Sequence, residues 1–114
     1  WRITPEKEVV PLPGNDFPLR GDIAYYQAPR LAASQMPDAY AQLRSANFAT
    51  LYAATSMHED FAESFASYVH AIMLGKPQCI RIHRDGKLLL QFDNYWEAGR
   101  SAAKRRLLEQ LLGS

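Results

Sequence analysis

Five of the seven prolines in this 114-residue chain fall within its first thirty residues. Proline removes a backbone donor and clashes with the preceding helical turn, so a long helix cannot form in such a segment. The segment also contains large apolar residues that a disordered linker would not need, namely Val9, Val10, Leu12, Phe17, Leu19, Ile23, Tyr25 and Tyr26. Residues 1–30 are therefore predicted to form an extended, looping arm that packs on the rest of the chain.

The remaining residues are predicted to form helices at 38–46, 57–74 and 96–112 and a β-hairpin at 79–92. Gly75 lies just past the second helix, a position where glycine commonly ends helices. Asp85-Gly86 separates two runs of strand-forming residues, and this dipeptide favours a tight hairpin turn. At this length the chain corresponds to a single domain, which we expect to be α+β and mostly helical.

The spacing of apolar residues predicts which side of each long helix packs in the core. In the second helix the predicted core face consists of Phe61, Phe65, Tyr68 and Ile72. In the last helix the predicted core face consists of Ala103, Leu107, Leu108, Leu111 and Leu112. The basic run Lys104-Arg105-Arg106 is predicted to lie on the solvated side of that helix.

Composition excludes several classes of function. The formal net charge is only +1, so no bulk positive field attracts nucleic acid. The single cysteine, Cys79, cannot form an internal disulfide framework, and we predict that it is chemically inert. No apolar run approaches the roughly 18 residues of a membrane span. We therefore expect neither a nucleic-acid partner nor a membrane span, and the oligomeric state stays open.

Two carboxylates, Glu59 and Glu63, lie four residues apart at the start of the second helix and share one of its faces. A zinc site needs a carboxylate or imidazole ligand and an acceptor that orients a neighbouring ligand. A structural interpretation is also open, because Ser56-x-x-Glu59 is a capping box and an acidic first turn suits the helix dipole. Glu63 would then be a solvated carboxylate, and Tyr52 a half-buried packing residue.

The pattern Tyr52-x-x-Thr55-x-x-x-Glu59-x-Phe61-Ala62-Glu63-x-Phe65 resembles the second active-site motif of gluzincin-type zinc metallopeptidases, and in particular the catalytic domain of anthrax lethal factor and related bacterial peptidases. The resemblance covers residues 48–70. It implies that Glu59 is the third zinc ligand, that Glu63 is its acidic partner, and that Tyr52 hydrogen-bonds the developing oxyanion.

The family's other motif, His-Glu-x-x-His, does not occur in the 114 residues. In the family it precedes the ligand glutamate by a few dozen positions, which would place it just before Trp1. A degenerate relative without the motif is the alternative. The resemblance implies the C-terminal portion of a zincin-like catalytic domain with one β-hairpin.

For the complete protein the resemblance implies bound Zn²⁺ and a peptide or protein substrate, in a secreted or cell-envelope setting. This chain alone is expected to be inactive and to bind no metal tightly, because one carboxylate is not a zinc site. The competing hypothesis is a non-catalytic helical module that binds a protein partner through exposed aromatic residues. His58, His70 and His83 are assigned no chemistry under either hypothesis.

Overall fold

The computed structural model describes residues 1–76, 78–93 and 95–113. It contains three α-helices: α1 (Met36–Leu43), α2 (Met57–Tyr68) and α3 (Ala102–Leu112). Two antiparallel pairs of strands complete the regular structure: β1 (Arg2–Ile3) with β2 (Val9–Val10), and β3 (Cys79–Arg84) with β4 (Lys87–Asp93). The chain is therefore a helix-rich α+β protein, as the sequence predicts.

The N-terminal arm contains short 3₁₀ turns and a second small hairpin in addition to the one that the sequence predicts. β1 and β2 pair over two residues each. The arm packs on the body through Phe17, which is buried, and through Trp1 and Ile23, which are half-buried. The prediction of a single β-hairpin is wrong in this respect, because residues with no alternating pattern also pair across the turn at Lys7.

The helix boundaries differ from the predicted ones at several ends. α1 starts at Met36 with Pro37 in its first turn, where a missing N–H costs nothing. α2 ends at Tyr68 and continues as one π-helical turn over Val69–Met73, before Gly75 adopts a φ of 65°. α3 begins only at Ala102, because Ala98 is extended and a 3₁₀ turn precedes the helix.

β3 and β4 form the predicted hairpin, and Asp85 and Gly86 make its turn with φ values of 51° and 76°. Both positive values belong to the tight turn that this dipeptide favours. The register shifts by one residue between Ile82 and His83, because Leu89 is an extra residue in β4 and forms a bulge there.

The core consists of two groups of buried residues. One joins the arm, α1 and the segment after it: Phe17, Leu43, Ala46, Phe48, Leu51, Ala53 and Ala54. The other joins α2, α3 and the turn at Tyr95–Glu97: Ala49, Tyr68, Tyr95, Trp96 and Leu108. The segment 46–54 contributes to both groups and so links the two halves of the core.

The face by which α2 packs in the core is polar, contrary to the prediction from its apolar spacing. Phe61 is 55% exposed and Phe65 is 40% exposed, whereas Asp60, Ser64 and Ser67 are buried. Of the predicted core residues on α2, Tyr68 is buried and Ile72 is half-buried. Polar groups can face the interior in this way only if each has a hydrogen-bond partner.

Asp60 finds two of its three partners on distant parts of the chain. Its carboxylate accepts hydrogen bonds from Trp1 Nε1 at 2.8 Å, Lys104 Nζ at 2.7 Å and Ser64 Oγ at 3.1 Å. Ser67 Oγ in turn accepts a hydrogen bond from Trp96 Nε1 at 2.9 Å. These contacts orient α2 so that Phe61 and Phe65 face outward.

Lys104 therefore does not lie on the solvated side of α3. The prediction from the basic run is wrong for this residue. Its ammonium donates to Asp60 and to the carbonyl of Asn47, and it lies 4.8 Å from the centroid of the Phe48 ring. Of the predicted apolar face of α3 only Leu108 is buried, while Leu107 and Leu111 are exposed. The long stem of the lysine allows its charged end to reach an interior partner.

Candidate functional site

Tyr52 and Glu59 line the same open cleft, which has a volume of about 320 Å³. Tyr52 precedes a 3₁₀ turn at Ala53–Thr55, and Glu59 lies in the first turn of α2. The hydroxyl of Thr55 donates to the carbonyl of Tyr52 at 2.6 Å, which fixes the backbone between the two residues. The cleft therefore contains two of the three residues that the sequence singled out.

Ser56 is the N-cap of α2, and its hydroxyl accepts a hydrogen bond from the Glu59 backbone N–H at 3.2 Å. This is the serine half of the capping box that the sequence predicts. The cap uses the backbone of Glu59, so its carboxylate is free to interact across the cleft with the Tyr52 phenol. Glu59 can therefore take part in the helix cap through its backbone N–H and act in the cleft through its carboxylate.

The environment of Tyr52 raises the pKa of its phenol to about 12. Partial burial contributes most, followed by hydrogen bonding with Glu59 and by the negative charge of that carboxylate. A tyrosine with a raised pKa stays protonated at neutral pH and can act as a hydrogen-bond donor. The stability that this phenol contributes is fully present below its ordinary pKa of 10.0 and is lost as the pH rises through about 12.

Glu63 lies on the same face of α2 as Glu59, one turn further along. It is half-buried, and its charge helps to raise the pKa of Tyr25, although burial and Tyr40 contribute more to that shift. Tyr25 lines the cleft, whereas Glu63 is not among the residues that line it. The structure therefore brings Tyr52 and Glu59 together at the cleft and leaves Glu63 outside its lining.

Sequence reasoning missed the opposite wall of the cleft, which comes from the N-terminal arm. The ring of Tyr25 lies 4.8 Å from that of Tyr52, and the ring of Tyr26 lies 6.2 Å from it at a nearly perpendicular angle. Arg20 also lines the cleft, and its Nη1 donates to the carbonyl of Ala54 at 3.4 Å. The only signal in the sequence was the apolar content of the arm, which indicates packing but not a position.

Tyr26 adopts a φ of 62°, a conformation that costs a non-glycine residue about 1 kcal/mol or more. Its side chain is almost fully exposed, so burial of the ring does not offset that cost. The ring of Tyr26 nevertheless contacts that of Tyr52.

A catalytic zinc site requires three protein ligands. In the part of the chain that the structure describes, no group of three or more His, Cys, Asp or Glu side chains lies close enough together to hold a metal ion. Glu59 and Glu63 by themselves do not form such a site. His58 and His70 are both exposed, and His83 lies on β3.

Comparison of the chain with protein-family models, with curated proteins and with solved structures found no match. None of the helices formed by the described residues is both long enough and apolar enough to cross a membrane.

The coupling between Glu59 and Tyr52 can be measured directly. Glu59→Gln removes the carboxylate charge, so the pKa of Tyr52 is expected to fall from about 12 part of the way to 10.0, since burial remains. An alkaline NMR titration of the tyrosine ring carbons measures this shift. Glu97→Gln, at an exposed glutamate outside the cleft, is the control and is expected to leave the titration unchanged. An unchanged Tyr52 pKa in Glu59→Gln would show that the two side chains do not interact.

Proposed function

We propose that this chain supplies part of the active site of a zinc-dependent peptidase, with Glu59 as a metal ligand. The observation that carries the proposal is that Glu59 and Tyr52 line one cleft, at the spacing of the gluzincin motif. The described residues contain no complete metal site, so in this proposal the remaining ligands and the general base are supplied by residues outside this sequence. The proposal accordingly expects no activity from the 114 residues alone.

In this proposal Tyr52 stabilises the oxyanion that forms when a peptide carbonyl is attacked. A donor is effective in that role when it is protonated and already positioned where negative charge develops. The phenol of Tyr52 is protonated across the neutral range, as an ordinary tyrosine is, and its raised pKa extends that range to higher pH. Its ring contacts the rings of Tyr25 and Tyr26, which favours a fixed position of the phenol.

Glu63 has a supporting role in the same proposal. It is half-buried one helical turn from Glu59, so it can accept a hydrogen bond from an incoming imidazole ligand and orient it. The open cleft between α2 and the arm, with a volume of about 320 Å³, has the size of a small-ligand site.

A second candidate function is a non-catalytic module that binds another protein. The exposed aromatic side of α2, with Phe61 and Phe65 stacked 6.4 Å apart, favours it. The two functions make different predictions for Glu59. Its carboxylate is needed for metal binding in the peptidase, whereas the module needs only the backbone N–H that Ser56 caps.

Titration of the chain with Co²⁺, a paramagnetic substitute for Zn²⁺, distinguishes them. Weak binding is expected to shift the NMR signals of residues around the cleft, including Tyr52, Thr55 and Glu63. Glu59→Gln should abolish these shifts, and Glu97→Gln should preserve them. If the shifts arise elsewhere, or persist in Glu59→Gln, Glu59 is not a metal ligand.

A further inference from the structure

We propose that the outer edge of β3 binds an extended, acidic peptide as a third strand of the hairpin sheet. The hairpin of β3 and β4 has only two strands, so each strand has one edge that the other does not cover. An uncovered edge offers a row of backbone donors and acceptors to another chain. This inference concerns a different surface from the cleft and does not depend on the peptidase proposal.

The edge of β4 is partly covered by α1. Arg44 Nη2 donates to the carbonyl of Gln91 at 3.1 Å, and the guanidinium lies 4.7 Å from the centroid of the Phe92 ring. The Gln91 carbonyl therefore points away from β3. In an antiparallel pair such a residue belongs to a non-hydrogen-bonded pair.

The partner of Gln91 in this pair is Arg81, so the backbone N–H and C=O of Arg81 must point outward from the sheet. By the same alternation, the backbone N–H and C=O of Cys79 also point outward from the sheet. Within the described parts of the chain, no backbone hydrogen bond reaches these groups from outside the hairpin. The outer edge of β3 is thus open where the edge of β4 is not.

The two faces of β3 differ in character, which defines the sequence that an added strand should have. Ile80 and Ile82 are half-buried toward the body, whereas Arg81 and His83 are exposed on the other face. A strand paired with β3 would place alternate side chains against these two faces. Apolar residues would extend the isoleucine side, and the residues between them would lie beside Arg81 and His83.

The charge of β3 selects the partner. The strand has two arginines, Arg81 and Arg84, and no acidic residue. Among the described side chains no carboxylate lies within 4 Å of either guanidinium; Arg84 donates instead to the carbonyl of Ser34 at 3.1 Å. Two copies of β3 paired edge to edge would bring like charges together, so a second copy is disfavoured and acidic residues are favoured.

The test uses a labelled peptide, acetyl-Val-Glu-Val-Glu-Val-Glu-amide, and fluorescence anisotropy. Two versions are N-methylated on opposite sets of alternate amides, because only one set faces β3 in strand addition. One methylated peptide is expected to lose binding and the other to keep it. Equal binding by both, or no binding of the unmodified peptide at millimolar concentration, would overturn the proposal.

Charge reversal provides a second, independent measurement on the same peptide. Arg81→Glu is expected to weaken binding about tenfold, a loss that high salt also produces in part. Arg106→Glu makes the same change at an exposed position on α3 and should leave the affinity nearly unchanged. Equal losses of affinity in the two variants would mean non-specific charge attraction and would overturn the proposal. It would also be overturned if the protein without peptide formed a dimer that Arg81→Glu disrupts, because β3 would then pair with a second copy of itself.

Discussion

Replacing Asp60 with alanine is expected to lower the free energy of unfolding by about 3–5 kcal/mol, because it removes one partner of a buried ion pair. Lys104 would keep its charge in a site where burial already lowers its pKa and the interaction with Asp60 opposes that effect. Trp1 Nε1 and Ser64 Oγ would also lose their acceptor. Urea unfolding followed by tryptophan fluorescence measures the loss.

Two further variants separate the buried pair from ordinary surface charge. Glu109→Ala breaks the ion pair with Arg105 on α3, whose side chains are both about one-third exposed, and should cost less than about 1 kcal/mol. The double variant Asp60→Leu with Lys104→Met removes both buried charges and should recover most of the stability. If Asp60→Ala and Glu109→Ala cost the same, Asp60 is not a buried ion-pair residue.

The second large effect is expected at Tyr68. Its side chain is 1% exposed and packs edge-on against the Trp96 ring at 5.4 Å. Tyr68→Ala should therefore cost about 3–5 kcal/mol, the range for truncating a buried aromatic side chain. The matched control is Phe61→Ala on the same helix, which should cost less than about 1 kcal/mol because that ring is 55% exposed.

This pair of variants also tests how α2 is rotated. The apolar spacing predicts that Phe61 and Tyr68 lie on one core face and that both truncations are costly. The structure places them differently, with Asp60 and Ser64 turned inward in place of Phe61. A cost at Phe61 as large as that at Tyr68 would support the orientation predicted from the sequence and contradict the structure.

The fold was predictable where neighbouring residues determine it. Asp85-Gly86 specifies its own turn, and Ser56 caps α2 through a residue only three positions away. Tyr52 and Glu59 were paired only through the resemblance to the gluzincin motif, and the short 3₁₀ turn between them is what brings both to one cleft. Local geometry of this kind needs no knowledge of the rest of the chain.

The parts that could not be predicted depend on contacts between distant residues. Asp60 is buried because Lys104, 44 positions away, and Trp1, 59 positions away, provide its hydrogen bonds. No periodicity in α2 encodes those partners, so its apolar spacing predicts the side that carries Phe61 and Phe65 as the core face. The opposite wall of the cleft, formed by Tyr25 and Tyr26, likewise depends on how the arm folds back.

The coding sequence that precedes the codon for Trp1 provides the most direct test of the peptidase proposal. The proposal predicts a His-Glu-x-x-His motif on a helical segment within a few dozen codons, which would supply the ligands and the base that the described residues lack. A native reading frame without that motif would contradict it, and Glu59 would then be left as a residue in the first turn of a capped helix.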